Sequence, residues 1–181
     1  MAYQDIQLQY HDWRFLQASS TFDTVNGVNS IAAPADLNLW DSTHVFDADG
    51  NQVEVVEYAD LTCKIDQSIT GKPTLFVIQN DGTLMCSPTP DGVYTYSYDY
   101  FKAPLTLDVG TDTPAFPAQF HDAIVARAMI YYGNYESAGE IKQQGLELFE
   151  SLFRALRNHQ LGGKQQTYGR NDYQDIVITV D

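Results

Sequence analysis

The chain has 181 residues, of which 44% are hydrophobic, and its formal net charge at pH 7 is −14. This hydrophobic content suits a folded core and argues against an intrinsically disordered chain. No apolar run approaches the roughly 20 residues needed to span a bilayer, and the first residues lack the pattern of a signal peptide. Because so acidic a surface repels phosphate, tight binding of nucleic acid is not expected. The charge fits either solubility or a wall past which DNA slides without sticking.

The first predicted element is a helix over residues 3–16. Ile6, Tyr10 and Trp13 recur at helical spacing and would share one face of it. The run 19–21, Ser-Ser-Thr, ends the helix. We expect Trp13 to pack in the core.

Residues 20–112 are predicted to form an antiparallel sheet of short strands linked by hairpins. The turn signals are Asn-Gly at 26–27, an Asp-rich segment at 47–51 and Asn-Asp-Gly at 80–82. They imply hairpins over 22–33, over 43–46 with 52–56, and over 74–79 with 83–87. The secondary structure of residues 58–68 is ambiguous in the sequence, which is compatible with a short helix.

The last strand of this region carries a tyrosine at every second position, after a Pro-Asp-Gly turn. Tyr94, Tyr96, Tyr98 and Tyr100 therefore share one face of the strand. Four such rings are too large for a solvent face, so they cover a core or another subunit. They could instead stack sugars, whereas base stacking would require a basic groove. We favour packing against C-terminal helices that present Tyr131, Phe149 and Phe153, the latter two as core residues.

Two helices follow in residues 117–160. The first has apolar residues on almost every side, including Val125, Met129 and Tyr132, which predicts a nearly completely buried helix. It ends at Gly133-Asn134. The second, over 136–160, ends at a Gly-Gly pair at 162–163. These elements define one domain of α+β class over residues 1–163.

Residues 164–181 are predicted to be a C-terminal extended arm: a polar link followed by a strand. The strand comprises Ile176, Val177, Ile178, Thr179 and Val180. Because no segment follows to pair with it, it either returns to its own sheet or adds to the edge of a neighbour's sheet. The sequence does not decide between these two, and the four aliphatic residues are candidates for an inter-subunit contact.

The polar residues form no pattern typical of catalysis or of a metal site. His11-Asp12 and His121-Asp122 have no nucleophile motif beside them, and the four histidines lack ligand spacing. The Asp-rich segment 47–51 has its glycine at the wrong position for a calcium loop. Cys63 and Cys86 are expected to be small buried residues rather than a disulfide. We therefore predict no enzyme activity, cofactor or metal.

The order of segments resembles the tail-adaptor, or head-to-tail connector, proteins of tailed bacteriophages. The resemblance covers nearly the whole chain, although no single segment is diagnostic. The segments are WRFL at 13–16, TFDTVNG at 21–27, PAD at 34–36, PTPDGVY at 88–94, YFKAPLT at 100–106, TPAFP at 113–117 and FHDAI at 120–124.

This resemblance implies a non-catalytic virion protein of the neck, made in the host cytoplasm. It implies a ring, commonly of twelve copies, beneath the portal protein, which extends the DNA channel and docks a tail or nozzle protein. DNA would pass without specific binding, and no membrane would be involved. Such proteins usually have more helix before Trp13, so we expect a shortened or processed start. The alternative is a carbohydrate-binding or decoration β-module, against which the two helices count.

Overall fold

The computed structural model describes residues 1–61 and 65–168, with side-chain detail for 1–61 and 65–161. The chain divides into two compact units, one of Met1–Leu16 with the chain from Pro104 onward, and one of Gln17–Ala103. We call them the helical unit and the sheet unit. Their elements confirm the predicted α+β class. Cys63 and the predicted terminal strand lie outside the described residues.

The sheet unit contains two sheets. The first is antiparallel and has the order β1 (Gln17–Asp23), β7 (Thr95–Lys102), β3 (Leu37–Asp47). The second has the order β2 (Ser30–Ile31), β6 (Leu84–Ser87), β5 (Leu75–Ile78), β4 (Glu54–Glu57). Its β4 and β5 run parallel and its other neighbours antiparallel.

One predicted hairpin is confirmed and two are wrong as complete hairpins. β5 and β6 pair across a turn in which Gln79 N donates to Thr83 O at 2.8 Å. The turn at 26–27 forms, but Cys86 N bonds to Asn29 O and draws β2 into the second sheet. The Asp-rich turn likewise forms, and Val53 N donates to Val45 O at 2.8 Å as predicted, but β4 beyond it pairs with β5. Local turn signals thus placed the turns and the pairs nearest to them, but not the partners of the strands that follow.

The sheet unit's core lies between the two sheets. The alternate tyrosines of β7 enter it from the first sheet, and Phe76, Leu84 and Cys86 enter it from the second. Their expected ring partners were Tyr131, Phe149 and Phe153, whereas the observed ones are Phe22, Trp40 and Phe76. The tyrosines have other partners than expected because the strands form two sheets and not one, and the second sheet supplies the opposing apolar face.

The helical unit contains α1 (Ala2–Gln7), α2 (Asp122–Tyr135) and α3 (Gly139–Tyr168). The helix predicted over 3–16 is wrong beyond Gln7, because the chain folds back so that Trp13 Nε1 donates to Gln7 O at 3.0 Å. α3 begins after Ser137, whose φ of 56° interrupts the helix. The glycine pair does not end α3, which continues to Tyr168.

α2 and α3 pack closely because glycines lie at their contact. A Cβ on Gly133 would lie 2.7 Å from Lys142 N, and one on Gly145 would lie 3.0 Å from Ala126 O. Around this pair, Trp13, Phe116 and Leu156 are buried, while Phe149 and Phe153 are half-buried at the rim. The predicted core residues at positions 13, 149 and 153 thus belong to one cluster.

Candidate assembly surfaces

The tyrosine face of β7 is an interior surface. Tyr96, Tyr98 and Tyr100 are 0%, 7% and 7% exposed, and Tyr94 is half-buried at the start of the strand. Tyr96 donates its hydroxyl hydrogen to Pro73 O at 2.7 Å, and Tyr100 donates to Asp36 Oδ1 at 3.0 Å. Burial raises the pKa of Tyr96 to about 12. Since the three rings are covered, they provide no platform on which a sugar could stack.

The opposite face of the same sheet is polar and exposed. Ser19 donates to Asp99 Oδ1 and Thr95 donates to Asp23 Oδ1, each at 2.6 Å. Carboxylates and hydroxyls therefore satisfy one another across neighbouring strands. This face offers anionic and neutral groups, and it contains no lysine or arginine in β1.

Most of the net negative charge lies in the sheet unit, because it has few basic residues. Residues 17–103 contain twelve aspartates and glutamates against three lysines and no arginine. Lys72 Nζ donates to Asp47 Oδ2 at 2.7 Å, and Lys102 Nζ lies 3.5 Å from Asp36 Oδ2. The hydrogen bond from Lys72 holds the pKa of Asp47 well below its ordinary value. Because these lysines are engaged with carboxylates, the unit presents a strongly negative surface.

Polar side chains considered for catalysis serve local structure. His44 Nδ1 lies 2.9 Å from Asp41 Oδ2, whose other oxygen accepts from Thr43. His121 Nε2 lies 3.0 Å from Phe116 O, the carbonyl at the start of its own turn. Among the described residues, no group of three or more His, Cys, Asp or Glu could hold a metal ion. His11 and Asp12 also have interaction partners.

α1 is fixed to α2 through a charged contact. Asp5 forms an ion pair with Arg127, whose guanidinium carbon lies 5.2 Å from the ring centres of both Tyr131 and Phe149. The carboxylate satisfies the charge, and the two rings enclose the planar cation by cation–π contact. This arrangement joins all three helices of the unit at one residue.

The outer face of α2 is apolar and exposed, contrary to the near-complete burial expected from its sequence. Val125, Tyr132 and Tyr135 are 55%, 54% and 85% exposed. A helix that is apolar on every side is buried either in its own fold or against a partner. The apolar pattern predicts burial, but it does not distinguish cover by the protein's own fold from cover by a partner.

α3 contributes a second apolar surface in the form of an open groove of about 550 Å³. Leu146, Phe149 and Phe153 form its apolar floor. Charged residues line its sides: Glu150, Arg154 and Arg157. The guanidinium of Arg154 donates to Glu150 Oε1 at 2.8 Å, which neutralises part of the rim. The helical unit thus combines exposed apolar area with basic side chains on α3.

Comparison with known proteins identifies the family of this chain. No curated protein matches the chain in sequence. In the described part of the chain, no helix has both the length and the apolar character needed to traverse a bilayer. A family model described as SU10 adaptor protein matches residues 1–174. The chain therefore belongs to the SU10 adaptor protein family, a family of structural phage proteins, which confirms its resemblance to bacteriophage head-to-tail adaptors.

Proposed function

We propose that this adaptor forms a ring, most simply of twelve copies, beneath the portal protein of a tailed phage. The ring would extend the DNA channel below the portal and provide the docking surface for a tail or nozzle protein in the neck of the virion. The observation that carries this proposal is the family match over residues 1–174, which includes both units. The subunits would be made in the host cytoplasm and recruited by the portal.

The exposed apolar area of the helical unit supports assembly through that unit. A closed ring requires two different surfaces on each subunit, related by a rotation that closes. The outer face of α2 and the groove on α3 are two such surfaces on different helices. Burying them between neighbours would remove large side chains, including Tyr132 and Tyr135, from water.

The charge of the sheet unit supports a channel that does not retain DNA. Proteins that grip DNA neutralise phosphates with lysine and arginine, and this releases counterions. Residues 17–103 have a fourfold excess of acids over bases, so they would repel the duplex instead. We therefore propose that DNA passes without specific binding.

The direct test is to mix the purified adaptor with the portal protein of its own phage and to image the product by electron microscopy. The proposal predicts portal particles with an additional ring on one end, and a mass increase that gives the number of subunits. Portal particles that remain unchanged at saturating adaptor would contradict it. A monomeric adaptor before mixing is compatible with recruitment by the portal.

The contribution of the α2 face is tested by Tyr132→Asp, with Gln144→Asp on the exposed side of α3 as the matched control. Both positions are exposed, so both variants should fold. We expect only Tyr132→Asp to abolish ring formation, because it places a charge in the apolar face. Equal ring formation by both variants would exclude this face.

The channel is tested separately by the rate of DNA ejection from assembled particles. Glu54→Lys with Glu57→Lys adds positive charge to exposed sites of the sheet unit, and Glu147→Lys with Glu150→Lys adds the same charge to α3. The first pair should slow ejection, more so at low salt. Unchanged ejection in the first pair would assign the acidic surface to solubility alone.

A further inference from the structure

Within the described residues, one side of β1 is unpaired, so β1 is an edge strand. There it pairs only with β7, and it contains seven residues, most of them exposed. Thr24 N donates to Tyr94 O at 2.9 Å, and the register continues without a shift to Gln17. Because hydrogen-bonded and non-bonded pairs alternate, Ser19, Thr21 and Asp23 direct their backbone N–H and C=O groups away from β7.

This edge lacks the usual protection against a further strand. Natural edges are shielded by charged side chains, especially lysine, and by proline, bulges or shortness. β1 has no lysine, no proline and no register shift, and its single charged residue, Asp23, is at its end. The other edges of the described sheets are shielded: β2 has two residues, β3 has register shifts, and β4 has four residues with a glutamate at each end. A further strand could therefore pair with the outward main-chain N–H and C=O groups of β1.

From this edge, and on the basis of the ring proposed above, we infer that β1 of one subunit accepts the C-terminal segment 175–181 of a second copy. The segment is of suitable length, since its strand pattern spans 176–180 and β1 spans Gln17–Asp23. Residues 169–174, between α3 and the segment, can extend by about 20 Å, which allows the segment to reach a neighbouring molecule.

The side-chain alternation of the segment also matches that of β1. On β1, Ala18, Ser20 and Phe22 lie on the face of the tyrosines, with Ala18 and Phe22 half-buried against the core and Ser20 exposed. Ser19 and Thr21 lie on the opposite, polar face. With Ile176, Ile178 and Val180 on the core side, the added strand would extend the apolar layer. Val177, Thr179 and Asp181 would then lie on the hydroxyl- and carboxylate-rich face. Main-chain hydrogen bonds would supply affinity, and the alternation would fix the face presented.

The arrangement predicts that the main-chain N–H group of Thr179 is required. In an antiparallel pairing, residues on the polar face of the added strand, such as Thr179, would direct their N–H groups toward β1. Thr179→Pro should therefore remove a hydrogen bond of the ladder. Thr179→Ser keeps this N–H group and a hydroxyl, so it is the matched control. Neither variant changes the core-facing residues Ile176, Ile178 and Val180.

The experiment is amide hydrogen exchange of full-length protein, before and after ring formation on the portal. We expect exchange at Ser19, Thr21 and Asp23 to slow by about tenfold or more on assembly. Thr179→Pro should abolish this protection and Thr179→Ser should retain it. Mixing Thr21→Cys chains with Thr179→Cys or Val177→Cys chains under oxidising conditions should give a disulfide-linked dimer that neither chain forms alone.

The outcomes separate this inference from the proposed function. Rings on the portal whose β1 amides remain in fast exchange would overturn the inference and leave the ring intact. Protection already present in the isolated monomer, with an intrachain disulfide in the Thr21→Cys/Thr179→Cys double variant, would show that the segment returns to its own sheet and would also overturn it. Absence of any ring with wild-type protein would overturn both proposals.

Discussion

Gln7 and Leu105 exchange two hydrogen bonds although 98 residues separate them in the chain. Gln7 Nε2 donates to Leu105 O at 3.0 Å, and Leu105 N donates to Gln7 Oε1 at 2.9 Å. The amide side chain thus binds a backbone peptide as a second strand would. Gln7 is 1% exposed, and its own carbonyl accepts from Trp13. One buried glutamine therefore fixes the start of the chain to the segment that leads into the C-terminal helices.

We expect Gln7→Ala to lower the free energy of unfolding by about 2–4 kcal/mol, because it leaves two backbone groups of Leu105 without their partner. Gln9→Ala is the control, since Gln9 is exposed two residues away. Urea unfolding of both variants measures the difference. A loss in Gln7→Ala no larger than that in Gln9→Ala would refute the structural role of this contact.

A second prediction concerns the contact between α2 and α3. Gly133→Ala places a methyl group 2.7 Å from a backbone nitrogen of α3, so the helices must separate, at a cost of about 1–3 kcal/mol. Gly139→Ala places its methyl group where no atom lies within 4 Å and should be neutral or stabilise by up to about 1 kcal/mol. Thermal unfolding compares the pair; equal melting temperatures would contradict the close packing.

The buried hydroxyl of Tyr96 predicts a loss of stability in alkali. Its folded pKa is about 12 and its ordinary value is 10.0. Above pH 10 the unfolded chain loses this proton while the folded chain keeps it, so stability falls as pH rises toward 12. The full effect is about 3 kcal/mol for a shift of two units.

Tyr96→Phe should therefore remove the phenol that ionises near pH 12 in an absorbance titration and flatten the decline of stability between pH 10 and 12. The variant also loses the bond to Pro73 O, so it should be less stable at neutral pH. A decline as steep as that of the wild type would assign the alkaline effect to other groups.

The lowered pKa of Asp47 predicts a loss of stability in acid. Its oxygens accept from Lys72 Nζ at 2.7 Å and from Asn51 N at 2.8 Å, and its folded pKa lies below the ordinary 3.8. The stability that it contributes is present above pH 3.8 and is lost as pH falls through the folded value. Asp47→Asn should lower stability at pH 7 and reduce its decline in acid.

Asp49→Asn is the matched control, because Asp49 lies 3.4 Å from the same lysine with its side chain 75% exposed. Urea midpoints between pH 5 and pH 2 compare the two variants with the wild type. Equal acid dependence in all three proteins would show that the contact with Lys72 does not stabilise the fold.

The sequence predicted features that depend on local pattern. The alternation of Tyr96, Tyr98 and Tyr100 predicted a strand with one covered face, and the residues around Asn80 predicted a hairpin. Strand partners were harder to predict from the sequence, because the pairing of β1 with β7 depends on contacts between residues about eighty positions apart. The Gly-Gly pair at 162–163 predicted a helix end, but α3 continues to Tyr168. Each glycine lowers helix stability by about 1 kcal/mol relative to alanine, which is too little to end a helix that continues on both sides.

The same limit applies to the candidate surfaces. Periodicity showed that α2 is apolar on several sides, yet only the structure separates its covered residues, such as Ala126, from exposed ones, such as Tyr132. The role of Gln7 had no signal in the sequence, since a single glutamine in an amphipathic stretch resembles a solvated residue. Its partner is a main-chain group, and main-chain groups are identical along the chain.

The connection of the two units has a consequence for how such proteins can diversify. The sheet unit is a single continuous segment inserted between Leu16 and Pro104 of the helical unit. Its first residue, Gln17, pairs with Phe101 near its last, so the two ends of the insertion are adjacent. Segments whose ends meet can be exchanged or removed without moving the flanking chain. Recombination could therefore exchange the sheet unit for another segment while the sequence of the helical unit stays unchanged.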